Sequence, residues 1–278
     1  MTVSDGKHQR EPMQLKRHRT RLSRLSKRMF RRIVEFKGIR RLPFEQYREH
    51  VQQHYDGPAG AVLALASLIS LHEPLIGHLI RGKKFDVTHR KSLLDVGSGA
   101  GQILGHLLKE VDIDANFVAF DLSHQMLKRA RLRLKDSRPN FVSGDLMKLP
   151  FADESFDCIT CGWVIEHLPD PIPGLKEMGR VLTPGGSILI MATEDTFAGA
   201  MTSRTWKCRT YNRKRFQEAC EKAGLHWKSE LWFSKIHRFF RMGGILVELT
   251  RDDINALTSE AESAHEENSH DHDMATSV

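Results

Sequence analysis

Between Lys91 and Arg251 the chain alternates short apolar runs with longer segments in which apolar residues recur at every third or fourth position. Short apolar runs bounded by turn residues suit buried strands, and the longer pattern suits helices with one apolar stripe. The pattern predicts strands near 92–96, 116–121, 139–143, 156–161 and 186–192, with helices near 101–110, 123–135 and 172–182. A further helix over 212–223 should end at Gly224, and two more strands should follow near 226–233 and 244–250. Strands alternating with crossover helices read as a parallel α/β sheet.

Upstream, the pattern differs. Residues 1–12 are polar and lack any apolar period, which predicts disorder. From Met13 to about Phe36 the residues Leu22, Leu25, Met29, Ile33 and Phe36 draw one stripe along a helix whose other faces are mostly Arg and Lys. Gly38 and Pro43 punctuate it, Gly57, Pro58 and Gly60 mark a second loop, and 13–90 reads as a basic helical extension or cap. The most apolar stretch, Ala61 to Ile80, is interrupted by His72, Glu73, Pro74 and His78. A membrane-spanning helix needs about 20 predominantly apolar residues, so this stretch does not read as one.

Charge sharpens this division into a main domain over 91–251 and two flanking pieces. Residues 1–41 hold 14 Lys+Arg against 3 acids, whereas 252–278 hold 8 acids and no Lys or Arg. The last segment is also poor in large apolar residues and is expected to be a disordered acidic tail in which His265, His270 and His272 are solvated. Four cysteines are too few for a disulfide framework, and a reducing, cytoplasmic setting is expected. Cys158 and Cys161 have CxxC spacing, but no second pair completes a zinc site, so they read as core and no metal is expected.

Chemistry concentrates where the first predicted strand ends. Leu93-Leu94-Asp95-Val96-Gly97-Ser98-Gly99-Ala100-Gly101 is a strand running into a glycine-rich turn, and such turns let the backbone approach a ligand closely. The spacing is GxGxG, whereas the dinucleotide fingerprint GxGxxG would need glycine at Gln102. No Gly-Lys-Ser/Thr is present, which excludes a P-loop. Twenty residues after Gly101, Phe117-Val118-Ala119-Phe120-Asp121 ends a second strand in a carboxylate able to accept two hydrogen bonds from a ribose diol. Asp121 could instead cap the helix beginning Leu122-Ser123.

With Ser143-Gly144-Asp145-Leu146, the run Leu149-Pro150-Phe151-Ala152-Asp153-Glu154-Ser155-Phe156-Asp157 and Leu182-Thr183-Pro184-Gly185-Gly186, these motifs resemble the class I S-adenosylmethionine-dependent methyltransferases, most closely the ubiquinone/menaquinone-biosynthesis type. The resemblance covers about Ser92 to Met191. It implies a Rossmann-like sheet of seven strands with helices on both faces, S-adenosyl-L-methionine as cofactor, and methyl transfer. Asp95, Gly97, Ser98, Gly99 and Gly101 would then hold the methionine end, Asp121 and Leu122 the ribose, Asp145 and Leu146 the adenine. Gly144-Asp145 also reads as a plain turn. The fourth strand would deliver Trp163 to the sulfonium, and residues to Asp170 would line the transfer site.

Glu166 and His167 are the polar candidates there, either as catalytic groups or as residues that orient the loop. Relatives that methylate hydroxyls with a divalent metal carry Glu-x-x-Glu-His, but Trp163 stands in the first Glu position. The absence of Asn/Asp-Pro-Pro-Tyr/Phe after strand four disfavours methylation of adenine or glutamine amides. The implied acceptor is a small or lipid-like molecule methylated at oxygen or carbon. The arm over 13–41 could lie on an anionic membrane, fold over the active site, grip nucleic acid, or serve as a mitochondrial targeting segment in a eukaryote. A non-catalytic cofactor-binding scaffold is the remaining class.

Overall fold

The computed structural model describes residue 49 and residues 72–206, 208–240 and 243–251. The readings of residues 1–71, residue 49 apart, and of the tail 252–278 lie outside the described residues, whereas the last nine residues of the extension's apolar stretch and Arg81 are described. Those form helix α1, His72–Arg81. There follow β1 (Ser92–Val96), α2 (Leu104–Glu110), β2 (Asn116–Asp121), α3 (His124–Leu134), β3 (Pro139–Ser143), β4 (Phe156–Gly162), a short 3-10 turn at Ile165–His167 and α4 (Pro171–Val181). The remainder is β5 (Leu182–Ala192), α5 (Phe197–Trp206), α6 (Arg213–Lys222), β6 (Leu225–Glu230), α7 (Lys235–Phe240) and β7 (Ile245–Arg251).

The helix starts follow from capping chemistry. Ser123 accepts from the Met126 N–H ahead of α3, Asp170 accepts from the Ile172 N–H ahead of α4 with Pro171 in its first turn, and Asn212 accepts from the Arg215 N–H ahead of α6. Each satisfies an N–H that the helix cannot. At the far end of α6, Gly224 takes φ +75, the left-handed turn expected there.

All seven strands join one sheet in the order β3-β2-β1-β4-β5-β7-β6. Strands β1 to β5 pair in parallel, while β7 runs antiparallel to both β5 and β6. The sheet is therefore mixed, which the simple parallel expectation did not contain. β5 also begins earlier than expected, at Leu182, because the Thr183-Pro184-Gly185-Gly186 stretch is accommodated as a register shift against β4 between Phe156 and Cys158.

Burial on both faces explains the continuous apolar strands. On one face Leu94, Val96, Ile159, Cys161, Ile188 and Ile190 pack with Leu175 and Met178 of α4 and Phe216 of α6. On the other, Leu93, Phe117, Cys158, Leu189 and Met191 pack with Ile76, Leu79 and Ile80 of α1, Leu104 and Leu107 of α2, and Leu127 of α3. Cys158 and Cys161 thus enter different cores from opposite faces of one strand, which is what a spacing of three does in a β-strand.

The 149–157 motif turns out to be a structural clamp. Arg180 of α4 donates to the carbonyls of Phe151 (2.8 Å) and Leu149 (3.0 Å) and to the carboxylates of Asp153 and Glu177. Glu177 in turn accepts from the Leu149 N–H at 2.8 Å. Phe151 makes edge contacts with Phe120 and Phe156, and Asp157 accepts from the Lys91 and Ser92 N–H groups at the start of β1. Replacing Arg180 by Ala strands several of these acceptors. The exposed Asp153 contributes little, so the expected loss is roughly 2–3 kcal/mol, read as a lower urea midpoint, with Arg180→Lys recovering only part because one ammonium cannot span the same carbonyls.

Candidate functional site

The chain runs outward from β1 to β2 and β3, then returns to β4 on the other side of β1, so the strand order reverses between β1 and β4, where open α/β sheets bind ligands beyond the strand ends. Register places the ends of these strands side by side. Val96 pairs with Phe120 and with Cys161, Asp121 with Ser143, and Gly162 with Met191. The Gly97 turn, Asp121, the Gly144-Asp145 turn and Trp163 therefore lie along one edge of the sheet.

At the centre, Asp121 holds the glycine turn. One carboxylate oxygen accepts from the Gly99 N–H at 2.8 Å and the other from the Ser123 N–H at 2.8 Å, while the Ser98 N–H donates to the Phe120 carbonyl at 3.0 Å. Ser123, not Asp121, caps α3. A carboxylate oxygen has two acceptor sites, so Asp121 retains capacity for further donors. Leu122 lies next to it, its carbonyl accepting from the Ser143 hydroxyl.

Asp95 is set behind the turn and is 1% exposed. Its two oxygens accept from the hydroxyls of Ser98 (2.7 Å) and Thr160 (2.6 Å). Burial raises its pKa to about 6 against the pull of those two hydrogen bonds. The carboxylate thus ties the glycine turn to β4 from below.

Two glycines meet different constraints. Gly97 has φ +66, and a Cβ there would lie 2.0 Å from Val164 Cγ2, so the β1 and β4 turns touch through a position only glycine can fill. Gly99 has φ +53, but an added Cβ would meet only ordinary contacts, with Gln102 Oε1 at 3.5 Å and Met126 Cε at 3.6 Å. Gly101, at φ +79, packs against Leu134 of α3.

Asp145 sits in a turn: its carboxylate accepts from the Met147 N–H and its carbonyl from the Lys148 N–H. Leu146 is buried in the core beside Gly174. Trp163 has φ +55, a backbone conformation rare for a bulky side chain and concentrated at functional sites, and its N–H donates to the Met191 carbonyl at 2.7 Å.

Past Trp163 the chain turns inward. Glu166 is 2% exposed and accepts from the Thr193 hydroxyl at 2.6 Å. Burial raises its carboxyl to about 7, and the Thr193 hydroxyl and amide pull in the opposite direction. Burial lowers the partly exposed His167 imidazole to about 4, leaving it neutral at pH 7. Tyr211 Oη and the Arg209 N–H donate to the Ile165 and Glu166 carbonyls, so the segment after β5 holds this turn in place. Among the described residues, no group of three or more His, Cys, Asp or Glu side chains is arranged to hold a metal ion.

Residues 94–190 match the family model described as a methyltransferase domain. Over that stretch the chain is similar to S-adenosylmethionine-dependent methyltransferases of class I. Among its relatives is the demethylmenaquinone methyltransferase of Staphylococcus saprophyticus, 31% identical over 147 residues that make up 52% of this chain and 63% of that one. The ubiquinone/menaquinone biosynthesis C-methyltransferase of Hahella chejuensis is 28% identical, with 55% of this chain and 64% of that protein covered. The chain spans less than two thirds of the length of these curated relatives. Among solved structures, the mitomycin 7-O-methyltransferase superposes with a TM-score of 0.61 at 16% identity, covering 76% of this chain and 61% of that chain. An S-adenosylmethionine-dependent methyltransferase from Aquifex aeolicus gives 0.52 at 19% identity, covering 75% and 97%. These two likenesses show the fold alone.

Three contributors to this candidate site were not picked out from sequence. Thr160 and Thr193 are buried hydroxyls inside otherwise apolar strand ends, and a polar residue in such a run is a signal. Arg133 of α3 donates to the Ala100 carbonyl of the glycine turn at 3.3 Å and is paired with Glu73 of α1. Nothing in a basic helix singles that residue out.

The glycine contrast is testable. Gly97→Ala combines left-handed strain with a clash and should lose roughly 2–5 kcal/mol of stability in chemical denaturation. Gly99→Ala bears the strain alone, about 1–2 kcal/mol, yet should abolish S-adenosylmethionine binding in calorimetric titration because its methyl group would occupy the turn where the backbone is expected to approach the ligand.

Proposed function

We propose that this chain transfers a methyl group from S-adenosylmethionine to a small, apolar acceptor of quinone-like or lipid-like kind, at carbon or oxygen. The row of strand-end groups along β1, β2 and β3 carries the reading: a glycine turn with Gly99 in left-handed backbone, a carboxylate at Asp121 and a second carboxylate turn at Asp145. Their chemistry fits the cofactor. Gly97, Ser98, Gly99 and Gly101 would take its methionine end with Asp95 fixing the turn. Asp121 beside Leu122 would accept from the ribose hydroxyls, Asp145 and Leu146 would meet the adenine, and Trp163 would flank the reacting end. When bound, the cofactor supplies an electrophilic methyl group on a sulfonium.

The chain's own part in the reaction is alignment, exclusion of water and management of one proton. Glu166 is the candidate proton acceptor, because its carboxyl near 7 is matched to neutral pH and Thr193 fixes it. His167, neutral beside it, is the candidate that orients the acceptor. Similarity to the demethylmenaquinone and ubiquinone/menaquinone methyltransferases supports an apolar acceptor, and a cytoplasmic protein peripheral to a membrane would meet one there.

Calorimetric titration with S-adenosylmethionine should give saturable binding that Asp121→Ala loses. Transfer of labelled methyl to a demethylated quinone in detergent should follow, and labelling of RNA in place of quinone and lipid extracts would overturn the acceptor class.

Glu166→Gln gives an independent readout. The folded carboxyl near 7 lies above its ordinary 4.5, so the protonated form stabilises the fold. That contribution is complete below about 4.5 and is lost as pH rises through about 7. Glu166→Gln should flatten the corresponding decline in thermal stability. If Glu166 accepts the proton, the same variant also loses the limb of the kcat profile near pH 7 and falls about 100-fold or more in kcat, with cofactor affinity retained.

A further inference from the structure

The β6–β7 connection carries a surface that the cofactor site does not use. Because β7 runs antiparallel to β5, with Ala192 opposite Ile245, this connection and its helix α7 lie at the same end of the sheet as Gly97, Asp121 and Trp163. Within α7, Ile236 is 67% and Phe239 81% exposed. They are three residues apart and share one helix face. Lys235 and Arg238 alternate with them, both exposed.

A second basic segment adjoins it. Lys84 donates through Nζ to the carbonyls of Trp232 and Phe233, which fixes residues 81–84, Arg-Gly-Lys-Lys, against the start of this connection. Neither 81–84 nor 235–240 contains an acid. Arg238 also lines a cavity of about 420 Å³ with Arg213, Glu230 and Trp232, so the apolar-basic face borders an opening at the end of β6.

We propose that α7, together with residues 81–84, docks on an anionic phospholipid bilayer, with Ile236 and Phe239 entering the acyl boundary and Arg81, Lys83, Lys235 and Arg238 facing the headgroups. Paired large apolar and cationic side chains on one short helix are what an interfacial surface requires, and an anionic bilayer complements both. The chain's own segments do not. The arm over 1–41 carries like charge, while the acidic tail leaves β7 at the opposite end of the sheet and brings few large apolar residues. The purpose of docking rests on the apolar-acceptor reading, since it sets the site's mouth at the membrane where such a molecule is dissolved. Docking itself is measured without any methyl transfer.

The four native cysteines are buried, with their thiol pKa values raised by that burial, so a cysteine introduced on the surface is labelled selectively. The full chain carrying Phe239→Cys, labelled with an environment-sensitive fluorophore, is mixed with vesicles of phosphatidylcholine alone or with phosphatidylglycerol, with and without a lipid-borne quencher. Ile113→Cys, 73% exposed in the α2–β2 connection at the other end of the sheet, is the control. The expected result is sedimentation with anionic vesicles, a blue-shifted and quenched probe at 239, and an unchanged probe at 113. Replacing both Ile236 and Phe239 by Ser should weaken vesicle affinity roughly tenfold or more while leaving the melting temperature in place.

Vesicle binding with the 239 probe still in water would overturn the proposal and assign binding to the arm. A 239 probe already shielded without lipid would overturn it in favour of a second copy or another segment of the chain. Failure of the full chain to bind anionic vesicles would overturn it outright. Docking by a protein that transfers no methyl group would leave this proposal standing and overturn the function proposed above.

Discussion

The hydrogen bond from the Gly99 amide to the Asp121 carboxylate joins the turn after β1 to the end of β2, and the ligand edge of the sheet is organised around it. A glycine-rich turn is intrinsically loose, because each glycine has many conformations to lose on folding. Here it is fastened at three points: Asp121 takes the Gly99 N–H, the Phe120 carbonyl takes the Ser98 N–H, and buried Asp95 takes the Ser98 hydroxyl. The Gly97 backbone then touches Val164, which fixes the distance between the β1 and β4 turns. The result is a turn with its amides already oriented, so little ordering cost remains for a ligand that binds there.

Below that edge, two carboxyl groups are buried at a cost. Asp95 and Glu166 each satisfy their oxygens with threonine hydroxyls from the adjacent strand, Thr160 on β4 and Thr193 just after β5. Desolvation still outweighs those hydrogen bonds, as both raised pKa values indicate. A core built for stability alone would place apolar side chains at these positions. Their common property is that each links a loop at the ligand edge to a neighbouring strand, so the cost is incurred where geometry matters.

Among the parallel strands, the inner ones were legible because they are largely buried and read as mostly apolar runs, such as Phe117 to Phe120 or Ile188 to Met191, whereas the edge strand β3, with only Pro139 buried, was legible from its short Phe141-Val142 run ahead of the Gly144 turn. The last two strands were placed, but the reversal of β7 was not, since an antiparallel strand buried on both faces has the same apolar run as a parallel one. Helices α5 and α7 carried no usable signal. The first, Phe-Ala-Gly-Ala-Met-Thr-Ser-Arg-Thr-Trp, is made largely of small and β-branched residues without a stripe, and the second is only six residues long. At the site, the glycine turn and Asp121 stood out by spacing. Thr160, Thr193 and Arg133 act through contacts between segments 27 to 65 residues apart in sequence, which no local pattern encodes.

The antiparallel β7 has a consequence for how the two halves of the edge divide their work. A parallel β6–β7 pair would need a crossover that returns to the other end of the sheet, whereas the reversed strand allows a connection that stays at the ligand edge. The β5–α6 and β6–β7 segments are thus both placed there, beside the strand ends, and Met201, Ile236 and Phe239 are exposed on them. The half built from β1, β2 and β3 is fixed by hydrogen bonds to backbone and suits a ligand of constant shape. The half beyond β5 presents side chains on loops and short helices, where substitutions change the surface without disturbing the sheet. On the function and docking proposed above, acceptor choice and membrane approach would fall to that second half, because its side chains can change without disturbing the sheet.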